Sequence, residues 1–485
     1  MSLLDSSLWS GKAHVGTWTA MTGGTAPVVE PATGEVLDTI GVATPEDVAA
    51  AAERAARAQS AWARTPYTER AAVLRRAGDL FLQHSDEISQ WLVREAGSVP
   101  GKAAFETTTA AQECYEAAAL ASRPLGEVLP SAEPRLSLAR RLPAGVVGVI
   151  APFNVPLILG IRSVAPALAL GNAVLFKPDL RTAVSGGVAV LRVFEEAGLP
   201  SDVLHLLPGG ADTGAAVVAA PQVRVISFTG STAAGRKVGA AAAEHLKRAH
   251  LELGGNSALV VLPDADLERA ASTAAWGSFF HQGQVCMTTG RHLVHASVAD
   301  EYIERLAEKA EHLPVGNPAK EQVALGPVID AGQRDKIHSL VTGSVEGGAR
   351  LLAGGTYQDL FYRPTVLADV DDSSPAYAEE VFGPVAPVRV FHDLDEAVAL
   401  ATASPYGLSL GILTSDAMRG LELAERIPTG IVHINDQTVS DEAVAPFGGV
   451  AASGTGARFG GAANIEAFTE TRWITARSQQ AEYPF

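Results

Sequence analysis

Three residues in this sequence have side chains suited to carbonyl chemistry, provided the fold brings them together. Cys286 lies in Phe279-Phe280-His281-Gln282-Gly283-Gln284-Val285-Cys286-Met287, where a glycine and two side-chain amides suit a loop that presents a thiol. A thiol attacks carbon as thiolate and needs a nearby base or dipole to ionise at neutral pH. Glu252, in Leu251-Glu252-Leu253-Gly254-Gly255-Asn256, stands between leucines, and burial there would raise its pKa and suit it to accept a proton. Asn154, in Ala151-Pro152-Phe153-Asn154-Val155-Pro156, carries an amide N–H₂ between prolines, the kind of donor that stabilises an oxyanion. Taken singly, each also has an ordinary reading: a buried structural thiol, a salt-bridged or solvated carboxylate, a turn asparagine. His281 and His292, five and six residues from Cys286, are the candidate partners for a Cys-His hydrolase pair, but that spacing guarantees no contact and both read as ordinary polar positions.

A fourth feature concerns anions. Residues 223–228 predict a strand, Thr229-Gly230-Ser231-Thr232 a tight turn, and 233 to about 247 a helix. This arrangement aims backbone N–H groups and a helix dipole at a phosphate. It is not a P-loop, because Gly235 is followed by Arg236-Lys237-Val238, and the G-x-G-x-x-G dinucleotide fingerprint is absent.

The elements that must position these groups follow from local pattern. Thr44-Pro45-Glu46-Asp47 is a helix start, Thr65-Pro66 repeats the signal, and helices are expected through about Trp62 and Glu95. From about Val146, β-rich runs at 146–150, 173–176, 203–207, 223–228 and 258–261 alternate with alanine-rich helical stretches, the mark of a parallel α/β sheet. A second series at 292–295, 386–391, 408–413 and 431–434 predicts another α/β domain, with the boundary near Gly254-Gly255. A chain of 485 residues exceeds one compact core and fits two or three domains. The uncharged stretch 142–161 is broken by Pro143, Gly145, Gly148, Pro152, Asn154, Pro156 and Gly160, so it reads as strand, loop and helix start instead of a membrane span.

Composition narrows the classes further. A formal charge of −17 opposes binding to nucleic acid phosphates or anionic membranes. Two cysteines, Cys114 and Cys286, allow no disulfide framework or cysteine-rich metal site, and no metal ligands are expected. With no secretory signal in 1–24, a reducing, cytoplasmic setting is expected.

Several short motifs recur in order: Pro152-Phe153-Asn154, Phe176-Lys177-Pro178, Phe228-Thr229-Gly230-Ser231, Glu252-Leu253-Gly254-Gly255, Gly283-Gln284-Val285-Cys286, Glu379-Glu380-Val381-Phe382-Gly383-Pro384 and Pro446-Phe447-Gly448-Gly449. In these the chain resembles the aldehyde dehydrogenase superfamily over nearly its whole length. Residues 177–182, 280–284, 433–438 and the Tyr483-Pro484-Phe485 ending look like its benzaldehyde dehydrogenase branch.

The resemblance implies an α/β fold with a Rossmann-like cofactor domain (1–121 and 142–253), an α/β catalytic domain (254–446) and a small β oligomerisation arm (122–141 and 468–485), with 447–467 returning to the cofactor domain. It implies oxidation of an aromatic aldehyde, with Cys286 as nucleophile, Asn154 and the Cys286 N–H holding the oxyanion, and Glu252 activating water. Lys177 would hold adenosine-ribose hydroxyls, Ser231 and Gly230 the pyrophosphate, and Glu380 the nicotinamide ribose, with Phe382 positioning the ring; Asp179, Gly210, Phe228 and Leu253 complete the cofactor set. Val155, Leu159, Arg162, Phe280, Val285, Met287 and Phe447 would border the substrate tunnel, where Arg162 either selects an acidic aldehyde or pairs with a carboxylate elsewhere.

The chain departs from the family pattern at Phe153, where many members have Trp, at Asn256, where many have Lys, and at Leu180, where NAD-preferring members often have Glu. Asp179 disfavours a 2′-phosphate and Arg181 suits one, so NAD is favoured over NADP without being required. Other aldehydes, aliphatic or semialdehyde, remain alternative substrates. A CoA-acylating enzyme is opposed by Glu252, and a non-catalytic binding protein by Cys286, Glu252 and Asn154 occurring together. The arm implies a homodimer or homotetramer.

Overall fold

The computed structural model describes residues 2–485. Two seven-stranded sheets organise it. In the first, Arg248–Glu252, Val223–Thr229, Val146–Ile150, Ala173–Lys177 and Leu204–Leu206 lie side by side and parallel, and Ala13–His14 and Trp18–Thr19 extend the edge antiparallel. These central strands are buried almost throughout, which is why they read as continuous apolar runs and not as alternating ones. The second sheet runs Arg350–Ala353, Thr365–Ala368, Val385–Phe391, Thr289–His295, Ser257–Val261, Ser409–Leu413, Ile431–Ile434, parallel except at its first edge. Ala258 and Val260 face one apolar cluster, Leu259 and Val261 another, so both faces of this sheet are covered.

The helix start at Thr44 forms as a reciprocal capping box: the Asp47 carboxylate accepts from Thr44 N–H at 2.9 Å, Asp47 N–H donates to the Thr44 hydroxyl, and Pro45 opens Pro45–Arg64. The second signal works differently. Thr65 closes that helix with its hydroxyl on the Ala61 carbonyl, and Pro66 precedes Tyr67–Gln83 without a side-chain cap. The stretch through Glu95 is two helices, Tyr67–Gln83 and Ser85–Ala96, parted at His84.

Helix Pro156–Ala169 follows the first sheet strand and is buried on every side, as expected of a helix apolar all round. Its one charge is Arg162. Helix Pro100–Leu120 packs on it and turns Lys102, Glu106 and Glu113 inward among its alanines.

Thr469–Ala476 pairs antiparallel with Leu136–Pro143, which pairs with Gly126–Val128. The expected arm strand is thus present, and along one edge its partner is its own chain. Trp473 is 65 % exposed there, its indole N–H on the Ser137 hydroxyl. Phe459 and Phe468 join the apolar cluster around the first sheet. Among the described residues no helix is long and apolar enough to cross a membrane.

Candidate active site

Cys286 is carried by a loop whose backbone is held in sparsely populated conformations. His281 and Gln282 both have positive φ, 49° and 57°, and Gly283 follows at 67°, where a Cβ would run into the Gly383 carbonyl. The surroundings over-determine this path: the Gln282 amide donates to the Gly97 and Pro327 carbonyls at 2.9 and 2.7 Å, and Ile329 N–H donates to the Gln284 side chain at 3.0 Å. The two amides that suggested a presenting loop are therefore its anchors. His281 is buried with neither ring nitrogen hydrogen-bonded, and His292 bonds Ser278 and Tyr302, so neither histidine is given a role as a base.

Burial pushes the Cys286 thiol up to about 12, and the carboxylates of Glu380, Glu252 and Asp441 push the same way, with Arg162 opposing them. Glu252 ends strand Arg248–Glu252, and the residue is 2 % exposed. One carboxylate oxygen accepts from Gly449 N–H at 3.3 Å; the other is buried without a partner, and burial holds this carboxyl well above its usual range. Gly255, three residues on, packs against the Cys286 backbone so closely that a Cβ would lie 2.5 Å from its carbonyl oxygen, and Gly255 N–H donates to Glu380 at 3.0 Å. One tight turn therefore brings together the neighbourhoods of Glu252, Cys286 and Glu380.

Asn154 is buried in the turn between strand Val146–Ile150 and helix Pro156–Ala169, and its side-chain amide has no hydrogen bond within the described residues. Its backbone carbonyl accepts from Lys102 Nζ at 2.8 Å.

The substrate-side residues divide. Phe280, Val285, Met287 and Phe447 form one apolar cluster with Cys286, Leu408, Ile431 and Val439. Val155 and Leu159 lie at the start of the Arg162 helix, outside that cluster. Phe280 also stacks on Trp276, rings 4.8 Å apart, and the two border a cavity of about 930 Å³ that continues past Phe105, Leu325, Val439 and Asp441. Of the two alternatives for Arg162, the structure shows the pairing with carboxylates: it is buried, bonded to Glu113 at 3.2 Å and to Asp441, with its guanidinium 4.7 Å over the Phe447 ring. Two carboxylates already neutralise it, so it offers no unpaired charge to an acidic aldehyde.

A second cleft of about 550 Å³ opens at the carboxyl ends of the first sheet's strands, where α/β sheets bind nucleotides. It gathers Lys177, Asp179, Gly210 and Phe228 with apolar Ile150, Val218 and Val238. Lys177 is buried, and among the described residues its only partner is the Pro178 carbonyl at 3.3 Å, leaving donors for hydroxyl groups. Arg181 is fully engaged: it grips Asp179 with two N–H groups at 2.9 and 2.8 Å, reaches Asp330 at 2.7 Å and covers the Phe153 ring at 4.1 Å. Ser231 caps helix Thr232–Glu244, and Gly230 N–H donates to the Glu252 carbonyl, tying the anion turn to the carboxylate strand.

Leu253 N–H donates to the Ser453 carbonyl. Phe382, at φ 55°, meets Phe153 edge-on at 5.9 Å, and helix Ala331–Glu346 pins its loop through Gln333 on the Phe382 carbonyl and Lys336 on the Glu380 carbonyl, both at 2.8 Å. An apolar slot with a buried lysine and a carboxylate at its mouth fits an adenosine moiety. Asn256 is a packing residue, its amide on the Tyr377 carbonyl and its own carbonyl taking Arg291.

Sequence reasoning missed Lys102, Glu106, Glu113 and Asp441. The first three had a signal: charges at 102, 106 and 113 fall on the same helical face as Ala103, Ala110, Cys114 and Ala117, all buried. Asp441, in an irregular segment, had none.

The chain matches the model of the aldehyde dehydrogenase family over residues 18–474. It is 71 % identical to a vanillin dehydrogenase of an Amycolatopsis species, across the full length of both chains, and 51 % identical to the NAD(+) benzaldehyde dehydrogenase of Pseudomonas putida, across 99 % of each. The solved salicylaldehyde dehydrogenase of Pseudomonas putida G7, in complex with salicylaldehyde, superposes with a TM-score of 0.94 at 35 % identity, covering 98 % of this chain and 99 % of that one.

Proposed function

The chain belongs to the aldehyde dehydrogenase family, and on that premise we propose that it oxidises benzaldehyde-like aromatic aldehydes, ring-substituted ones included, to carboxylic acids with NAD. The observation that carries the substrate class is the aromatic-walled cavity, which shares Phe280 and Val439 with the apolar cluster around Cys286. Phe280 stacked on Trp276 offers the flat, apolar contact a benzenoid ring needs. The names of the relatives support the same class.

In this reading the Cys286 thiol releases its proton to solvent and the thiolate adds to the aldehyde carbon; the resulting oxyanion is held by the Asn154 amide and the Cys286 N–H. A bound nicotinamide cofactor would supply the hydride acceptor, and Cys286 would then carry the acyl group as a thioester. Glu252 then takes a proton from water as the water oxygen attacks the thioester carbon; the carbon–sulfur bond breaks and the acid departs. The buried, unpartnered Glu252 oxygen suits that role and supports hydrolysis over transfer to CoA. Lys177, Gly210, Phe228 and Leu253 would hold the adenosine end, the turn at Gly230 and Ser231 the pyrophosphate, and Glu380 and Phe382 the nicotinamide end. NAD is favoured because Asp179 stands at the cleft and Arg181, the nearby cation, is already committed to Asp179 and Asp330.

Both cysteines are free, which suits a reducing cytoplasm. The open edge of Thr469–Ala476, with Trp473 exposed beside it, would be covered by a second copy in a homodimer or a dimer of dimers.

The test follows cofactor reduction with benzaldehyde, vanillin, phenylacetaldehyde and succinic semialdehyde, each with NAD and NADP and without CoA. The expected kcat/KM favours the benzenoid aldehydes over the semialdehyde by at least about tenfold, with acid formed and Cys286→Ala inactive. A preference for the semialdehyde, or an absolute need for CoA, would overturn the reading.

A further inference from the structure

The turn that carries Asn154 is held from behind by a buried ion pair. Lys102, on helix Pro100–Leu120, places its ammonium among three acceptors: the Ser98 hydroxyl at 3.1 Å, the Asn154 carbonyl at 2.8 Å and the Glu106 carboxylate. All three of its donors are thereby used. The other Glu106 oxygen accepts from Leu157 N–H at 3.1 Å, in the first turn of helix Pro156–Ala169. The pair therefore straddles Val155-Pro156, gripping the chain at the Asn154 carbonyl on one side and at the Leu157 N–H on the other.

Both side chains are at most 1 % exposed. An ion pair so placed is a poor source of stability, because desolvating two charges consumes most or all of their attraction, and apolar residues of similar size generally serve as well or better. What apolar residues cannot do is fix the direction of a peptide carbonyl. The Asn154 side chain is buried and has no hydrogen bond of its own within the described residues, so the polar anchor at this position is the one on its backbone carbonyl. We propose that Lys102 and Glu106 are positioning residues that lock the Asn154 peptide, and so direct its amide at the oxygen on which charge develops.

This rests on the assignment of Asn154 to the oxyanion, and the experiment separates the two. Lys102→Met is made alone, and Lys102→Met/Glu106→Leu together so that no unpaired charge is left in the interior; each is also combined with Asn154→Ala. Measured are kcat and KM for benzaldehyde with NAD, thermal unfolding, and the rate at which iodoacetamide alkylates Cys286, a reaction that forms no oxyanion. The expected result is a kcat lowered about tenfold to a hundredfold, with KM and the alkylation rate changed less than about twofold, and an unfolding temperature of the double variant above that of Lys102→Met alone, because no unpaired charge is left inside, while staying below the parent's, because the Asn154 carbonyl and the Leu157 N–H lose their partners. In the Asn154→Ala background the same substitutions should cost almost nothing further, since they act through the group already removed.

Losses that add to that of Asn154→Ala, an alkylation rate that falls in step with kcat, or a kcat within about twofold of the parent would overturn the positioning role. If Asn154→Ala itself keeps the parent kcat, the oxyanion assignment falls, and the inference with it.

Discussion

Cys286 sits where a thiol is hard to ionise. Burial is the main cause and the neighbouring carboxylates add to it, so the resting group is the neutral thiol at physiological pH. With a thiol held up to about 12, the thiolate fraction grows about tenfold per pH unit well below that value. Alkylation of Cys286 by iodoacetamide should therefore rise with that slope from about pH 7 to 10, and a plateau in that interval would show that an unrecognised group ionises it. Arg162 is a nearby cation that pulls the thiol down. Arg162→Met should slow alkylation at fixed pH, and it should cost about 3–5 kcal/mol of stability because Glu113 and Asp441 lose their shared partner. Denaturant unfolding of the variant checks the second part.

Glu252 has the complementary problem: burial raises its carboxyl, which favours a base able to hold a proton. Glu252→Gln should leave the first turnover of cofactor reduction fast and the steady state at least about a hundredfold slower, seen as a burst in stopped flow. Equal slowing of both phases would make its role structural.

At the scale of elements, the site is a set of turns clamped by side chains from elsewhere. Gln282 and Gln284 clamp the thiol loop, Gln333 and Lys336 the Phe382 loop, and Lys102 with Glu106 the Asn154 turn. Glu95 is another such clamp. It lies fully buried at the end of helix Ser85–Ala96 and accepts from the N–H groups of Val184 and Ser185, where the chain leaves the Asp179–Arg181 segment.

Burial raises the Glu95 carboxyl to about 7, against its hydrogen bonds, which lower it. Because the folded value exceeds the unfolded one, its contribution is fully present below about pH 4.5 and is lost as pH rises toward 7. The loss amounts to about 3 kcal/mol at most. Glu95→Gln carries no proton to lose, so the fall in unfolding temperature between about pH 5 and 8 should be shallower in the variant than in the parent. Parallel pH profiles would show that Glu95 is ionised in the folded protein throughout.

For the whole molecule, the three-stranded arm is the least self-sufficient part. Thr469–Ala476 is paired along one edge only, with Val128, Leu136 and Trp473 exposed on the same small sheet. Three strands with so little apolar cover gain order by adding a neighbour. If this edge joins two copies, as proposed, deleting residues after Phe468 should give monomers in light scattering at micromolar concentration where the full-length chain gives a dimer or tetramer. An unchanged mass, or a full-length chain already monomeric, would refute exchange through this edge.

The parallel strands, the helix starts and the order of the site motifs were legible in the sequence because they rest on local patterning: apolar runs for doubly covered strands, a capping box at Thr44, and glycine turns after Thr229 and Glu252. The candidate thiol, carboxylate and amide were singled out differently: each alone has an ordinary reading, and only the ordered set of motifs that carries the family resemblance made them candidates. What surrounds them was not legible. That Arg162 is neutralised by Glu113 and Asp441, that Arg181 is spent on Asp179 and Asp330, and that Lys102 reaches the Asn154 carbonyl rest mostly on pairings between residues 49 to 279 positions apart. Charge type alone cannot predict them, because a buried ion must find its partner wherever the packed helices and loops deliver one. Only the tertiary structure decides which cations stay free for a ligand and which are consumed in holding the site together.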